Sequence, residues 1–178
     1  MAIKKPFNLT EWIAENRDEL KPPVGNKNLY KDAGDYIVMI VAGPNARKDY
    51  HYNETEELFY QLEGEIEVNI QDEGEKRTFT LGPGDMYLNP AGVPHSPVRK
   101  EGSIGLVVER KRTGTSHDDG LLWYCDNCNH KLHEVYFPLH DIEKDFLGHF
   151  KTFYADEDAR TCDKCGHVMP VDERFVAD

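Results

Sequence analysis

Between about residues 30 and 110 the chain is written in short runs of β-forming residues, and no other feature restricts its fold as much. YIVMIVA, ELFYQL, EIEVNI, RTFTL, DMYL and IGLVVE follow one another at close spacing, each rich in branched or aromatic side chains. GPN, EG, DEGE, GPGD, NPAG and EGSIG separate them, all of them turn chemistry. Many short strands so closely spaced predict a sandwich, jelly roll or barrel rather than a parallel α/β sheet. The fold class is mainly β.

Two segments of different texture flank this block. In NLTEWIAENRDEL, Asn8 is followed three residues later by Glu11, a capping-box arrangement, and Leu9, Trp12, Ile13 and Leu20 stand at helical spacing. A short N-terminal amphipathic helix is expected. After residue 115 come a cysteine pair, an apolar run, a helical stretch with Leu139, Ile142, Phe146, Leu147 and Phe150 on one side, and a second cysteine pair. The organisation reads as an N-terminal helix and arm over 1–30, a barrel over 31–115 and a tail over 116–178, in one compact domain.

Charge excludes several partners. Thirty-three acids against 21 bases give a net charge of -12, which repels phosphate backbones and anionic lipid. No nucleic-acid or membrane partner is expected. MAIKKPFNLT has no apolar stretch behind its lysines and no run reaches membrane-spanning length, so a cytoplasmic protein is expected. In that reducing compartment, four cysteines in two pairs after residue 124 mean metal more often than disulfides.

Two spaced motifs lie within the strand-like block, with further strand-like sequence between them. His51, Glu57 and Gly64 form the first; Gly84, Pro90, Gly92 and His95 form the second. In this order and spacing they resemble the two motifs of the cupin barrels, which implies a jelly-roll barrel around a metal. Asn53 stands where many cupins have a second histidine, Arg99 where many have an asparagine, and Asn45 where a glycine is common. Three ligands remain: His51, Glu57 and His95. Two imidazoles and one carboxylate leave adjacent coordination positions open, as in non-haem Fe(II) enzymes that activate O2, although zinc or manganese suits the same ligands. His51 and His95 are the only two of the eight histidines before residue 110. Glu54, Glu56 and Glu65 read as solvated neighbours.

Strand alternation then names the surroundings. With Glu57 facing inward, Phe59 and Gln61 share its face, while Leu58, Tyr60 and Leu62 face out. If NARKDYH is extended, Arg47 shares the face of His51; in HSPVR, Arg99 shares the face of His95. Inward arginines call for an anion, so a carboxylate clamp is expected. Glu109 in IGLVVER can face the same cavity and accept a proton or hydrogen bond.

Taken together, KPPVGN at 21–26, AGPNARKDYH at 42–51, EELFYQLEG at 56–64, HSPVR, VVER at 107–110, WYCDNC at 123–128 and FYADEDARTCDKC at 153–165 resemble the 3-hydroxyanthranilate 3,4-dioxygenase family, in its short form with a cysteine-bearing tail. The resemblance runs from near residue 6 to residue 167. It implies O2 insertion across C3–C4 of 3-hydroxyanthranilate to give 2-amino-3-carboxymuconate semialdehyde, the precursor of quinolinate and NAD. It implies Fe(II) on His51, Glu57 and His95; substrate held by Arg47, Arg99 and Glu109, with Glu109 as the catalytic acceptor; Asn26 and Phe59 lining the pocket; and a homodimer.

The tail carries its own signal. Cys125-Asp-Asn-Cys128 and Cys162-Asp-Lys-Cys165 are two knuckles suited to a closed tetrahedral thiolate site, holding Zn or a rubredoxin-like Fe in a structural role. His130 and His167 read as polar neighbours of those knuckles. Trp123, Tyr124, Phe146, Phe150 and Tyr154 are expected to pack the tail onto the barrel or a second subunit. Two rival readings share these residues: a cupin enzyme for a different carboxylated substrate, and a non-enzymatic metal-binding sensor.

Overall fold

A computed structural model of the chain describes residues 5–20, 25–112, 115–141 and 144–176. Eleven strands are present among them: β1 (Asn26–Asn28), β2 (Tyr36–Ala42), β3 (Tyr50–Asn53), β4 (Glu57–Glu63), β5 (Ile66–Asp72), β6 (Glu75–Leu81), β7 (Met86–Asn89), β8 (His95–Arg99), β9 (Ile104–Arg110), β10 (Asp119–Tyr124) and β11 (Lys131–Phe137). They form two antiparallel sheets, β1-β2-β9-β4-β7 and β11-β10-β3-β8-β5-β6. Neighbours distant in sequence, such as β2 with β9 and β3 with β8, give a cupin-type jelly roll.

The six β-forming runs fold as β2, β4, β5, β6, β7 and β9. Their apolar faces meet between the sheets as one core of Ile37, Met39, Val41, Phe59, Ile66, Val68, Ile70, Leu81 and Val107. Burying one such side chain contributes about 1.5–3 kcal/mol. The alternation in β4 is as read: Glu57, Phe59 and Gln61 are buried, and Leu58, Tyr60 and Leu62 are half-buried on the other face. The motif glycines Gly64 and Gly92 take φ of 64° and 76°, values an L side chain resists.

Helix α1 (Leu9–Asn16) forms where Asn8 caps it, its side chain accepting from Thr10 N at 2.9 Å and Glu11 N at 3.2 Å. It buries Ile13 against Ile40, Ala42 and Ile104, on the outer face of the first sheet. Of KPPVGN, residues 21–24 lie outside the described residues.

The region expected as a tail begins with two strands of the second sheet. β10 pairs with β3, setting Leu121 opposite His51, and β11 pairs with β10. The sequence shows there only an apolar run, because β10 is buried on both faces and does not alternate. Beyond it, helix α2 (Asp145–Ala155) buries Phe146, Phe150, Phe153 and Tyr154, a spacing of four, three and one that makes one helical face. Leu147, expected on that face, is 47% exposed. Leu139 is buried but precedes the helix, and Ile142 lies outside the described residues. Trp123 in β10 stacks on Phe153 with centroids 4.2 Å apart, a contact that adds about 1 kcal/mol to the burial itself. The four-residue helix α3 (Glu157–Arg160), capped by Asp156, leads into the second knuckle.

Candidate metal centre

The register of the second sheet places His51 of β3 and His95 of β8 directly opposite each other. Glu57 comes from β4 in the facing sheet. All three side chains are buried, and one ligand atom from each lies within 4.8 Å of the others. Oε2 of Glu57 stands 3.1 Å from Nε2 of His95 and 3.7 Å from Nδ1 of His51, yet among the described residues it has no hydrogen-bond partner. A buried carboxylate oxygen facing two ring nitrogens without hydrogen-bond geometry suits a cation between them. The donor set, two nitrogens and one oxygen, suits Fe(II), Mn(II) or Zn(II).

The outer ring nitrogens are held as a ligand's should be. Nε2 of His51 lies 2.6 Å from Oδ1 of Asp119, which turns Nδ1 toward Glu57. Nδ1 of His95 lies 3.1 Å from the Asn89 amide nitrogen and 3.3 Å from the Val93 carbonyl, and the tautomer that donates to the carbonyl turns a bare Nε2 toward Glu57. Burial opposes a positive charge on His51, but Asp119 and Glu57 outweigh burial and raise the imidazole to about 9. Burial likewise opposes the charge on Glu57, and the two histidines still hold it well below the usual carboxylate range.

Arg99 is the other decisive side chain. It is 2% exposed, and among the described residues no carboxylate forms an ion pair with it. Its Nη1 makes one long contact, 3.4 Å, to Oε1 of Gln61, and its Nε is buried without a partner. Burial pulls the guanidinium down to about 10, with Glu57 opposing the shift. Its space exists because residue 105 is glycine: a Cβ there would stand 2.9 Å from both Nη1 of Arg99 and Oε1 of Gln61.

Glu109 is opposite Glu57 in the β4–β9 register and 2% exposed. Its Oε2 accepts from Asn53 at 3.1 Å and from Arg112 at 2.6 Å, while its Oε1 is buried with no partner among the described residues. Burial and the charge of Glu57 push this carboxyl up to about 7 against the pull of Arg112. Phe59 sets its ring 5.6 Å from that of His95, edge to face.

Arg47 and Asn26 are placed differently. Residues 46–49 are not in a strand. The Arg47 guanidinium lies over the rings of Phe150 and Phe146, at 4.9 and 5.6 Å, with Nε 3.3 Å from Asp49. Phe146 links it to the centre, its ring 5.3 Å from that of His51. Asn26 is half-buried in the edge strand β1, and no described side-chain contact ties it to the three ligands.

A second cluster closes in the tail. The sulfurs of Cys125 and Cys165 are 3.6 Å apart, as are those of Cys128 and Cys162, and all four lie within 4.8 Å of one another. The two knuckles repeat one backbone pattern: Cys125 N donates to the His130 carbonyl and Cys162 N to that of His167, both at 2.8 Å. His130 and His167 offer carbonyls to the knuckles, and neither joins the cluster.

The family model described as 3-hydroxyanthranilic acid dioxygenase matches residues 1–154. Curated proteins named 3-hydroxyanthranilate 3,4-dioxygenase are 53% identical over 171 residues in Xanthomonas euvesicatoria pv. vesicatoria, covering 96% of each chain, and 45% identical over 165 residues in Bacillus thuringiensis, covering 92% and 91%. The chain belongs to the 3-hydroxyanthranilic acid dioxygenase family. Among solved structures, a cupin-2 domain protein from Shewanella frigidimarina aligns over 55% of this chain and 91% of its own, at 22% identity and a TM-score of 0.46, too loose a likeness to add to the strand order.

For a member of the 3-hydroxyanthranilic acid dioxygenase family, two of the three departures from the general cupin motifs fall beside the ligands and Glu109. Asn53 replaces a ligand and holds Glu109; Arg99 places a cation beside Glu57. Sequence reasoning missed Gly105, Arg112 and Asp119. Arg112 sits in a basic triplet and Asp119 in an acidic pair, both of which look like surface. Their burial follows from the strand order: Asp119 opens β10, paired with β3, and Arg112 follows β9 of the facing sheet.

Proposed function

We propose that this barrel opens the ring of 3-hydroxyanthranilate with O2, breaking the C3–C4 bond and placing one oxygen atom on each carbon, to give 2-amino-3-carboxymuconate semialdehyde. The observation that carries it is Arg99, a buried guanidinium with no ion-paired carboxylate among the described residues, beside three convergent ligand atoms. A buried cation without a counter-charge is costly, and the ring carboxylate of this substrate supplies one.

His51, Glu57 and His95 would hold a divalent ion, which we take to be Fe(II), and once bound it would supply electron transfer between the ring and O2. The protein does the rest. Arg99 pairs with the carboxylate and fixes which edge of the ring faces the ion. Glu109 offers Oε1 to the ring hydroxyl and can take its proton. Phe59 closes the wall beside His95. Arg47, resting on Phe146 and Phe150, is a second cation able to swing to the carboxylate. The tail cluster holds Zn or Fe structurally, and a cytoplasmic homodimer accompanies this reading.

The test compares 3-hydroxyanthranilate with 2-aminophenol, which lacks only the carboxylate. The wild type should prefer the acid strongly, and Arg99→Ala should lose most of that preference while treating 2-aminophenol nearly as the wild type does. Equal loss on both compounds would contradict the clamp.

A further inference from the structure

One buried arginine outside the ligand set touches both halves of this centre. Arg112 leaves the end of β9, three residues after Glu109, and its side chain is 1% exposed. Nε donates to Oδ2 of Asp119 at 2.8 Å and Nη2 pairs with Oδ1 of the same carboxylate, a two-pronged contact. Nη1 donates to Oε2 of Glu109 at 2.6 Å and to the Arg110 carbonyl at 2.7 Å. Asp119 opens β10, in the other sheet, so the guanidinium stands across the seam between the two sheets. Both carboxylates are fully buried.

Each carboxylate has a second partner. Oδ1 of Asp119 also meets Nε2 of His51 at 2.6 Å, which decides that Nδ1 faces Glu57. Oε2 of Glu109 also accepts from Asn53, which leaves Oε1 as the free oxygen. The same guanidinium therefore fixes which nitrogen of His51 and which oxygen of Glu109 turn inward. A lysine cannot repeat this, because its single ammonium lacks the planar fork that spans two carboxylates.

We propose that Arg112 is a positioning residue that orients the ligand His51 through Asp119 and the substrate-side Glu109 directly, coupling metal geometry to substrate binding. The proposal rests on the metal and substrate roles given above. A rival view makes Arg112 only a stitch between the sheets, and the two views predict different measurements.

The test uses the full chain with its cysteine cluster loaded with Zn(II) and the barrel centre stripped, then titrated with Co(II). His95→Ala serves as the blank for binding at the cysteines. Arg112→Lys should fold, bind Co(II) roughly 10–100-fold more weakly with a changed d–d spectrum, and raise KM for 3-hydroxyanthranilate with Fe(II) saturating. Asp119→Asn should weaken Co(II) binding and alter the spectrum while moving KM by less than about threefold, since only the metal side is cut. Arg112→Lys with lowered thermal stability but wild-type Co(II) affinity, spectrum and KM would leave only the stitch and overturn the proposal. If Arg112→Lys fails to fold, Asp119→Asn decides: unchanged Co(II) affinity and spectrum overturn the relay. A wild type that takes up no Co(II) beyond the His95→Ala blank refutes the metal reading itself, and this proposal falls with it.

Discussion

The two candidate metal sites of this chain are assembled in opposite ways. The cysteine cluster is local twice over: each knuckle folds its own backbone around two sulfurs, and the knuckles only have to meet. The barrel centre has no local half. His51 and His95 meet through sheet register, and Glu57 arrives from the facing sheet. Four thiolates fill a tetrahedral ion and leave nothing for a substrate, whereas two imidazoles and a carboxylate leave positions open beside Arg99 and Glu109. A closed site built from loops can hold a fold together. An open site built from strands can hold small groups in a fixed geometry.

The contrast can be broken most directly at His95. His95→Ala should lower kcat/KM to background and remove one bound ion per chain while leaving the cysteine-bound ion in place, as metal analysis of the dialysed protein would show; loss of both ions would mean that the sites are not independent. Cys162→Ser should do the reverse, lowering Tm by roughly 10 °C or more through loss of a structural ion while the barrel ion stays bound. A calorimetric scan with unchanged Tm would make the cluster dispensable. Arg99→Ala should raise KM with little effect on metal content, by roughly 10–150-fold if the lost contact is a charged hydrogen bond of about 1.5–3 kcal/mol. Unchanged KM and kcat would end the clamp. The smallest effect is expected from Gly105→Ala, which crowds the same guanidinium: KM should rise by roughly 3–10-fold, less than for Arg99→Ala because the flexible end of the side chain can shift. An increase as large as that of Arg99→Ala would mean that β9 itself is displaced.

The same contrast explains what could be read before folding. The knuckles are visible as spacing, because the atoms that build them are near in sequence. The three ligands were legible because their motifs also carry turn glycines, and Phe59 and Arg99 because strand alternation is a period of two. β3 and β8, short and polar, do not stand out as β-forming runs in the sequence. Arg47 was expected to share a face with His51 in an extended segment, but residues 46–49 are coil and α2 supplies its resting place, a contact between residues about 100 positions apart. Asp119 and Arg112 gave no signal at all, since their burial depends on which strands are neighbours across the seam. Leu147 departs for a simpler reason: Leu139 precedes the helix, and Phe153 and Tyr154, rather than Leu147, complete its buried face.

Oxygen consumption tests the central claim most directly. Protein purified anaerobically, stripped at the barrel centre and reloaded with either Fe(II) or Zn(II), would be given 3-hydroxyanthranilate in an oxygen electrode. Uptake with Fe(II) alone, one O2 per ring-opened product, is the expected result. No uptake with a full complement of Fe(II) at His51, Glu57 and His95 would contradict it, leaving the barrel and its three ligands in search of another substrate.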